Sequence, residues 1–206
     1  MMLKTANSNI ILDDQERNKM ILDAAEAYGN FLDALKIDWR NDPNSADTPL
    51  RVAKSYVNDL IAGCYTNPPK ITRFPNDQHY NGIVFCGDID VKSLCSHHNL
   101  PFFGKAYVAY IPDENGTVIG LSKLNRVVEW YARRPQIQEQ LTTQIHDQLN
   151  DVISDNAGIA VMIKAKHMCS CLRGVKHDSY MVTSKLSGAF YNDASAKGEF
   201  FEFIKS

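Results

Sequence analysis

Ile159-Ala160-Val161-Met162-Ile163-Lys164-Ala165-Lys166-His167-Met168-Cys169 is the stretch on which the fold turns. Its odd positions carry Ile, Val, Ile, Ala, His and Cys, while Lys164 and Lys166 stand at even ones. Alternation with a period of two marks a strand buried on one face. A strand is therefore predicted near 158–170, with His167 and Cys169 leaving the same face about 7 Å apart. A partner strand is expected near 179–190, and an amphipathic end over 200–204 closes the chain. Upstream, Ile137, Leu141, Ile145, Leu149 and Val152 form one apolar stripe of a helix that Pro135 restarts, so most of its Gln and Thr residues read as solvated surface. Ser122 reads as the N-cap of a preceding helix over 122–134. Before it come strands over 82–93 and 103–111, then the turn signal Asp113-Glu114-Asn115-Gly116 ahead of 117–120. Strands in pairs around two consecutive helices predict an α+β fold, an antiparallel ββααββ sheet with helices on one face. Its open edges predict pairing between subunits.

The front of the chain reads as helical. Asp13 or Asp14 caps a helix whose apolar residues Ile21, Ala24, Ala25, Tyr28, Phe31, Leu32 and Leu35 recur at three and four. Asp47-Thr48-Pro49 opens a second helix that stops near Gly63, and 65–81 reads as a loop. The expected organisation is an N-terminal helical region over 1–65 and a catalytic domain over 66–206, together one compact unit. With 206 residues, 44% of them hydrophobic, the chain can bury a real core. A net charge of −2 argues against nucleic-acid binding through bulk electrostatics. Five cysteines, no N-terminal apolar stretch of signal-peptide type and no apolar run of about 18 residues predict a cytoplasmic protein without a membrane span.

Chemistry enters with two clusters, Cys95-Ser96-His97-His98 and His167-Met168-Cys169-Ser170-Cys171. Thiolates and imidazoles suit zinc, and the C-x-x-H separation lets one tight turn offer both Cys95 and His98 to one ion. A lone C-x-x-H fits core packing as well as metal binding, and the second cluster tips the balance. With Cys169 as third ligand, one tetrahedral position stays open for water, as in a catalytic site. Were Cys171 a fourth ligand, the site would be closed and structural. Extended C-x-C geometry disfavours this, so Cys171 reads as a bystander, and Cys64 and Cys86 as packed thiols. The neighbouring His97 and His167 suit general acid and base work near neutral pH.

Basic residues supply the next signal. Arg51 and Lys54 share one helical face, and Lys123 and Arg126 share another close to Ser122. Either pair taken singly could be solvated surface. Two cations beside a helix N-terminus make a phosphate site, and Arg173 brings a further phosphate donor near Cys169.

The motifs Ser93-Leu94-Cys95-Ser96-His97-His98, Gly120-Leu121-Ser122-Lys123-Leu124-Asn125-Arg126, Arg134-Pro135-Gln136-Ile137-Gln138-Glu139, His167-Met168-Cys169 with Arg173-Gly174, and Thr183-Ser184 with Gly188 and Phe190 resemble the GTP cyclohydrolase I family in order and spacing. Thr48-Pro49 with Arg51 and Lys54 extends the likeness, which covers roughly 15–205. The resemblance implies the tunnelling fold, whose ββααββ units join into a barrel by oligomerisation, here as a homodecamer of two pentamers with pockets at subunit interfaces. It implies conversion of GTP and water to 7,8-dihydroneopterin triphosphate and formate, a product that feeds folates, other pterins or deazaguanine nucleosides. It also implies zinc on Cys95, His98 and Cys169, one ion per subunit, and proton transfer by His97 and His167. Glu139 and Gln138 would then read guanine, and Arg51, Lys54, Ser122, Lys123, Arg126 and Arg173 would hold the triphosphate and ribose. The family usually has Glu where this chain has Ser96. Two other readings stay open: a zinc deaminase, whose H-x-E and P-C-x-x-C signature is absent, and a non-catalytic GTP- or pterin-binding relative with a structural zinc.

Overall fold

The computed structural model describes residues 5–206, which form two compact units divided between Asn67 and Pro68. In the first unit, α1 (Asp14–Ala34) starts at Asp13, whose carboxylate accepts from the Glu16 amide at 2.8 Å while Glu16 accepts from the Asp13 amide at 3.0 Å. This reciprocal cap satisfies two of the amides that a helix start leaves bare. α2 (Thr48–Ser55) has Pro49 in its first turn and continues through a π turn, Tyr56–Leu60, and a 3₁₀ turn, Ala62–Cys64. Ile21, Ala53 and Val57 form the small core of this unit.

The second unit contains β1 (Arg73–Pro75), β2 (Val84–Cys95), β3 (Pro101–Pro112), β4 (Thr117–Ile119), α3 (Leu121–Ala132), β5 (Pro135–Gln136), α4 (Gln138–Val152), β6 (Asn156–His167), α5 (Met168–Cys171), β7 (Tyr180–Leu186), α6 (Ala189–Asn192) and α7 (Ala194–Phe203). β1 pairs with β4 inside the stretch that reads as a loop, and the main sheet runs β5-β2-β3-β6-β7. All its neighbours are antiparallel except β5, which lies parallel to β2. The alternation in β6 does what its sequence predicts. Ile159, Val161 and Ile163 pack with Val91, Ala106 and Val108 against Leu124, Val127 and Val128 of α3 and Leu141, Ile145 and Leu149 of α4. Each of these side chains removes about 1.5–3 kcal/mol of apolar surface from water. The second unit is thus α+β, with α3 and α4 on one face of a mostly antiparallel sheet. At the other face Ala109, Ala160 and Met162 receive Phe190 and Phe200 from the C-terminal helices. Gly104 sits where β3 and β6 approach closest, since a Cβ there would meet the Lys164 carbonyl oxygen.

Several local expectations give way to tertiary packing. α3 is capped by Gly120 in an extended conformation, and Ser122 falls inside the first turn. The phase that buries Leu124, Val127, Val128 and Ala132 sets this start, overriding the polar cap signal. Pro135 does not restart a helix; Pro135 and Gln136 form a short strand beside Leu94 and Cys95, and α4 begins at Gln138. The Gln and Thr residues of α4 are not all solvated, because Gln138, Thr142 and His146 are buried. That side of the helix faces β7, where Thr142 meets Thr183 at 2.6 Å and the His146 Nε2 meets the Ser187 hydroxyl at 2.9 Å. The predicted strand through Cys169 ends at His167, so the thiol rides on the single turn of α5.

His146 supplies a pH test of this packing. Burial holds its imidazole below the ordinary value of 6.5, against the opposing pull of the Asp147 carboxylate. On acidification the unfolded chain takes up this proton before the folded one, so the stability contributed by neutral His146 is intact above 6.5 and lost as pH falls below it. Thermal unfolding midpoints should drop between pH 7.5 and about 5.5, and His146→Gln should flatten that slope. Identical slopes in both proteins would remove His146 as the cause.

Candidate metal centre and active-site cleft

β2 ends at Cys95, and the chain reverses through 96–100 before β3. The Asn99 amide donates to the Cys95 carbonyl at 2.8 Å, the His98 amide donates to it at 3.3 Å, and the Cys95 amide donates to the Leu100 carbonyl at 2.9 Å. Asn99 takes a left-handed conformation, with φ of 51°, which asparagine tolerates better than most residues. This turn folds His98 back towards Cys95. β5 fastens it from the side: Leu94 and Cys95 pair with Pro135 and Gln136, and the Ser96 amide donates to the Gln136 carbonyl. Beneath the turn, the Ser93 hydroxyl donates to the Arg134 carbonyl at 3.1 Å and accepts from the Gln136 side-chain amide at 3.2 Å.

The other half of the site arrives on β6. Phe102, the second residue of β3, pairs across the ladder with His167, the last residue of β6, and their rings stack at 4.6 Å with 6° between planes. α5 then turns Cys169 onto Cys95. The sulfurs of Cys95 and Cys169 and a ring nitrogen of His98 all lie within 4.8 Å of one another. Donors around a tetrahedral zinc, with bonds of about 2.0–2.3 Å, stand roughly 3.5–4 Å apart, so small side-chain adjustments seat such an ion. The pair of thiols points the same way. Burial and the adjoining Cys95 push the Cys169 thiol up, with Arg173 opposing weakly, whereas a bound cation would favour both thiolates. Cys171 is not in this group, and the set that converges is the open one of three.

Beside these donors opens a cleft of about 410 Å³, lined by His97, Gln138, Glu139 and His167 with Cys95 and Cys169. His97 is exposed, with Nδ1 3.7 Å from the Cys95 sulfur. Burial holds the His167 imidazole below its ordinary value, and the nearby Glu139 carboxylate opposes this. Glu139 itself is exposed, one residue inside α4. Gln138 is fully buried and hydrogen-bonds the His167 Nε2 at 2.9 Å.

The phosphate candidates are not among the residues that line this cleft. Ser122, Lys123 and Arg126 occupy the first half of α3, which touches the opposite end of β2 through the Cys86–Asn125 hydrogen bond at 3.3 Å. Eight residues of strand separate Cys86 from Cys95, about 25–30 Å, and none of these cations lines the cleft. Lys123 donates to the Lys70 carbonyl at 3.1 Å. Arg51 and Lys54 belong to α2 of the N-terminal unit, where Arg51 pairs with Asp47. Arg173 is exposed just beyond α5. Sequence reasoning missed Phe102 and the Tyr180–Met181 wall of the cleft, because strand register brings both in and no local motif announces it.

Comparison with known proteins decides the family. The family model described as GTP cyclohydrolase I matches residues 24–205. The chain belongs to the GTP cyclohydrolase I family. It is 48% identical over 160 residues to a GTP cyclohydrolase 1 of Chlorobium chlorochromatii, covering 77% of this chain and 70% of the relative. It is 40% identical over 190 residues to that of Wigglesworthia glossinidia brevipalpis, covering 91% and 86%. For the enzyme of Flavobacterium johnsoniae the identity is 41% over 198 residues, covering 94% and 84%. A solved archaeosine synthase QueF-Like in the apo form aligns with 58% of this chain and 96% of its own, at 15% identity and a TM-score of 0.36. The chain is an enzyme of the cyclohydrolase type, and the cleft between Cys95 and His167 is its candidate active site.

The metal set carries a direct test. Purified protein should hold one divalent ion per chain by elemental analysis. Cys169→Ala should lose it, whereas Cys171→Ala should retain it; loss from Cys171→Ala would restore the closed four-ligand site.

Proposed function

We propose that this chain converts GTP and water to 7,8-dihydroneopterin triphosphate and formate, with zinc on Cys95, His98 and Cys169. The observation that carries this is the convergence of that donor set with His167, His97 and Glu139 on one cleft. Zinc held there supplies Lewis acidity and brings the pKa of a water near 7. The chain's own groups do the rest. Glu139, exposed at the cleft, can accept from both the N1–H and the exocyclic amine of guanine, an edge adenine does not offer. His167, whose imidazole burial holds below its ordinary value, takes and returns a proton during opening of the imidazole ring at C8 and release of formate. His97, exposed beside Cys95, serves as the second proton carrier. Ser96, where the family usually has Glu, is exposed in the turn and leaves His97 without a carboxylate at that position.

Phosphate recognition then needs a second subunit. Ser122, Lys123 and Arg126 lie farther from Cys95 along β2 than one nucleotide spans, so a GTP with its base at Glu139 meets such cations from another copy. The β7 edge and the stretch of β2 that the short β5 leaves unpaired suit that assembly, which we assign as a homodecamer with pockets at subunit interfaces. Arg173, four residues beyond Cys169, is the phosphate donor we assign from within the same unit. The protein works in the cytoplasm, where five free cysteines stay reduced. Among the described residues no helix is long and apolar enough to cross a membrane.

Two substitutions test the assignment. Glu139→Gln turns one acceptor towards guanine's own donors and should cost about 1–3 kcal/mol in kcat/KM for GTP. Activity equal to wild type would remove the guanine assignment. His167→Ala should keep its zinc and its affinity for GTP yet release formate about 10²-fold more slowly. Near-normal formate release from the zinc-loaded variant would leave the chemistry to His97. Ammonia in place of formate would identify a deaminase, and neither product a binding protein.

A further inference from the structure

Gln138 stands beside the cleft with its side chain wholly buried, so its amide is an unusual element for a substrate contact. The Gln138 Nε2 lies 3.0 Å from the Ile163 carbonyl oxygen, 3.2 Å from the Met181 carbonyl oxygen and 3.0 Å from the Thr183 hydroxyl. Backbone carbonyls only accept. Turned over, the amide would press its oxygen against two others, so the nitrogen must face β6 and β7 and the oxygen must face His167.

The threonines impose the same polarity. The Thr142 hydroxyl donates to the Gln138 carbonyl at 2.9 Å. Its proton is thereby used, so in the 2.6 Å contact between Thr142 and Thr183 the donor is Thr183. The Thr183 oxygen is then free to accept from the Gln138 Nε2. The two hydrogens of the Gln138 Nε2 are shared among three acceptors, all of which call for the nitrogen on that side, and the chain ends at the His167 Nε2, 2.9 Å from the Gln138 Oε1. A ring nitrogen facing an amide oxygen at that distance carries a hydrogen.

We propose that Gln138 is a positioning residue: anchored by Ile163, Met181, Thr183 and Thr142, it fixes His167 as the Nε2–H tautomer and leaves the lone pair on Nδ1. The stack on Phe102 holds the ring plane, and the Gln138 bond sets rotation within it. Nδ1 has no hydrogen-bond partner among the described residues and is the nitrogen that exchanges a proton with substrate. Gln138 thus acts through His167 and does not read the base. The catalytic consequence rests on the reaction proposed above, while the tautomer does not.

The test combines a spectroscopic readout with kinetics. Ring ¹⁵N spectra of ¹⁵N-histidine-labelled, zinc-loaded protein at pH 8, with His167 identified by subtraction of the His167→Ala spectrum, should show a protonated Nε2 and an unprotonated Nδ1. In Gln138→Leu the two tautomers should mix. The same variant should lose kcat by about 10²-fold with little change in KM for GTP. A protonated Nδ1 in the wild-type protein, measured without any change at Gln138, overturns the proposal. So does Gln138→Leu that keeps wild-type kcat, or that raises KM alone, which marks a base-reading residue. Wild-type protein that yields no formate from GTP overturns the assigned reaction, while the ring spectrum still decides the tautomer.

Discussion

The pairing of Phe102 with His167 in the β3–β6 ladder is the constraint on which the site depends. β3 begins where the Cys95–Leu100 turn ends, and α5 begins where β6 ends, so this one register step brings Cys169 onto Cys95. A slip by one residue would reverse every side chain of β6. Ile159, Val161 and Ile163 would leave the helices, and His167 would leave the cleft. The apolar burial that holds the sheet together therefore also fixes the candidate metal donors.

Around that ladder the polar groups are placed as carefully as the apolar ones. β5 is only Pro135–Gln136, yet it pins the metal turn through backbone pairing and through Ser93, and it delivers Gln138 and Glu139 to the start of α4. One is buried and hydrogen-bonds His167, while its neighbour is exposed at the cleft. Adjacent helical positions point about 100° apart, so a single short strand sets both roles. The cations on α3 sit towards the far end of β2, away from the cleft.

Much of this was legible in the sequence. Alternation in 159–167 and the stripe through Leu141, Ile145 and Leu149 set the α+β class, because burial on one face writes its period directly into the chain. Cys95, His98 and Cys169 could be picked out as a set because few residue types ligate a transition metal, and motif spacing carried the family. Tertiary structure decided what depends on partners distant in sequence. Ser122 has the chemistry of a cap, but the apolar phase of α3 begins the helix after Gly120. Thr142 looks like solvated surface until β7 brings Thr183 to its hydroxyl, and the burial of Gln138 and His146 is likewise decided by partners on β7 and just beyond it. Cys169 looked like part of a strand, yet the end of β6 turns it through α5 onto Cys95. Local periodicity determined which face of each element is buried; only the packed register determined which polar groups meet there, because a hydrogen bond or a metal site needs both of its halves in place.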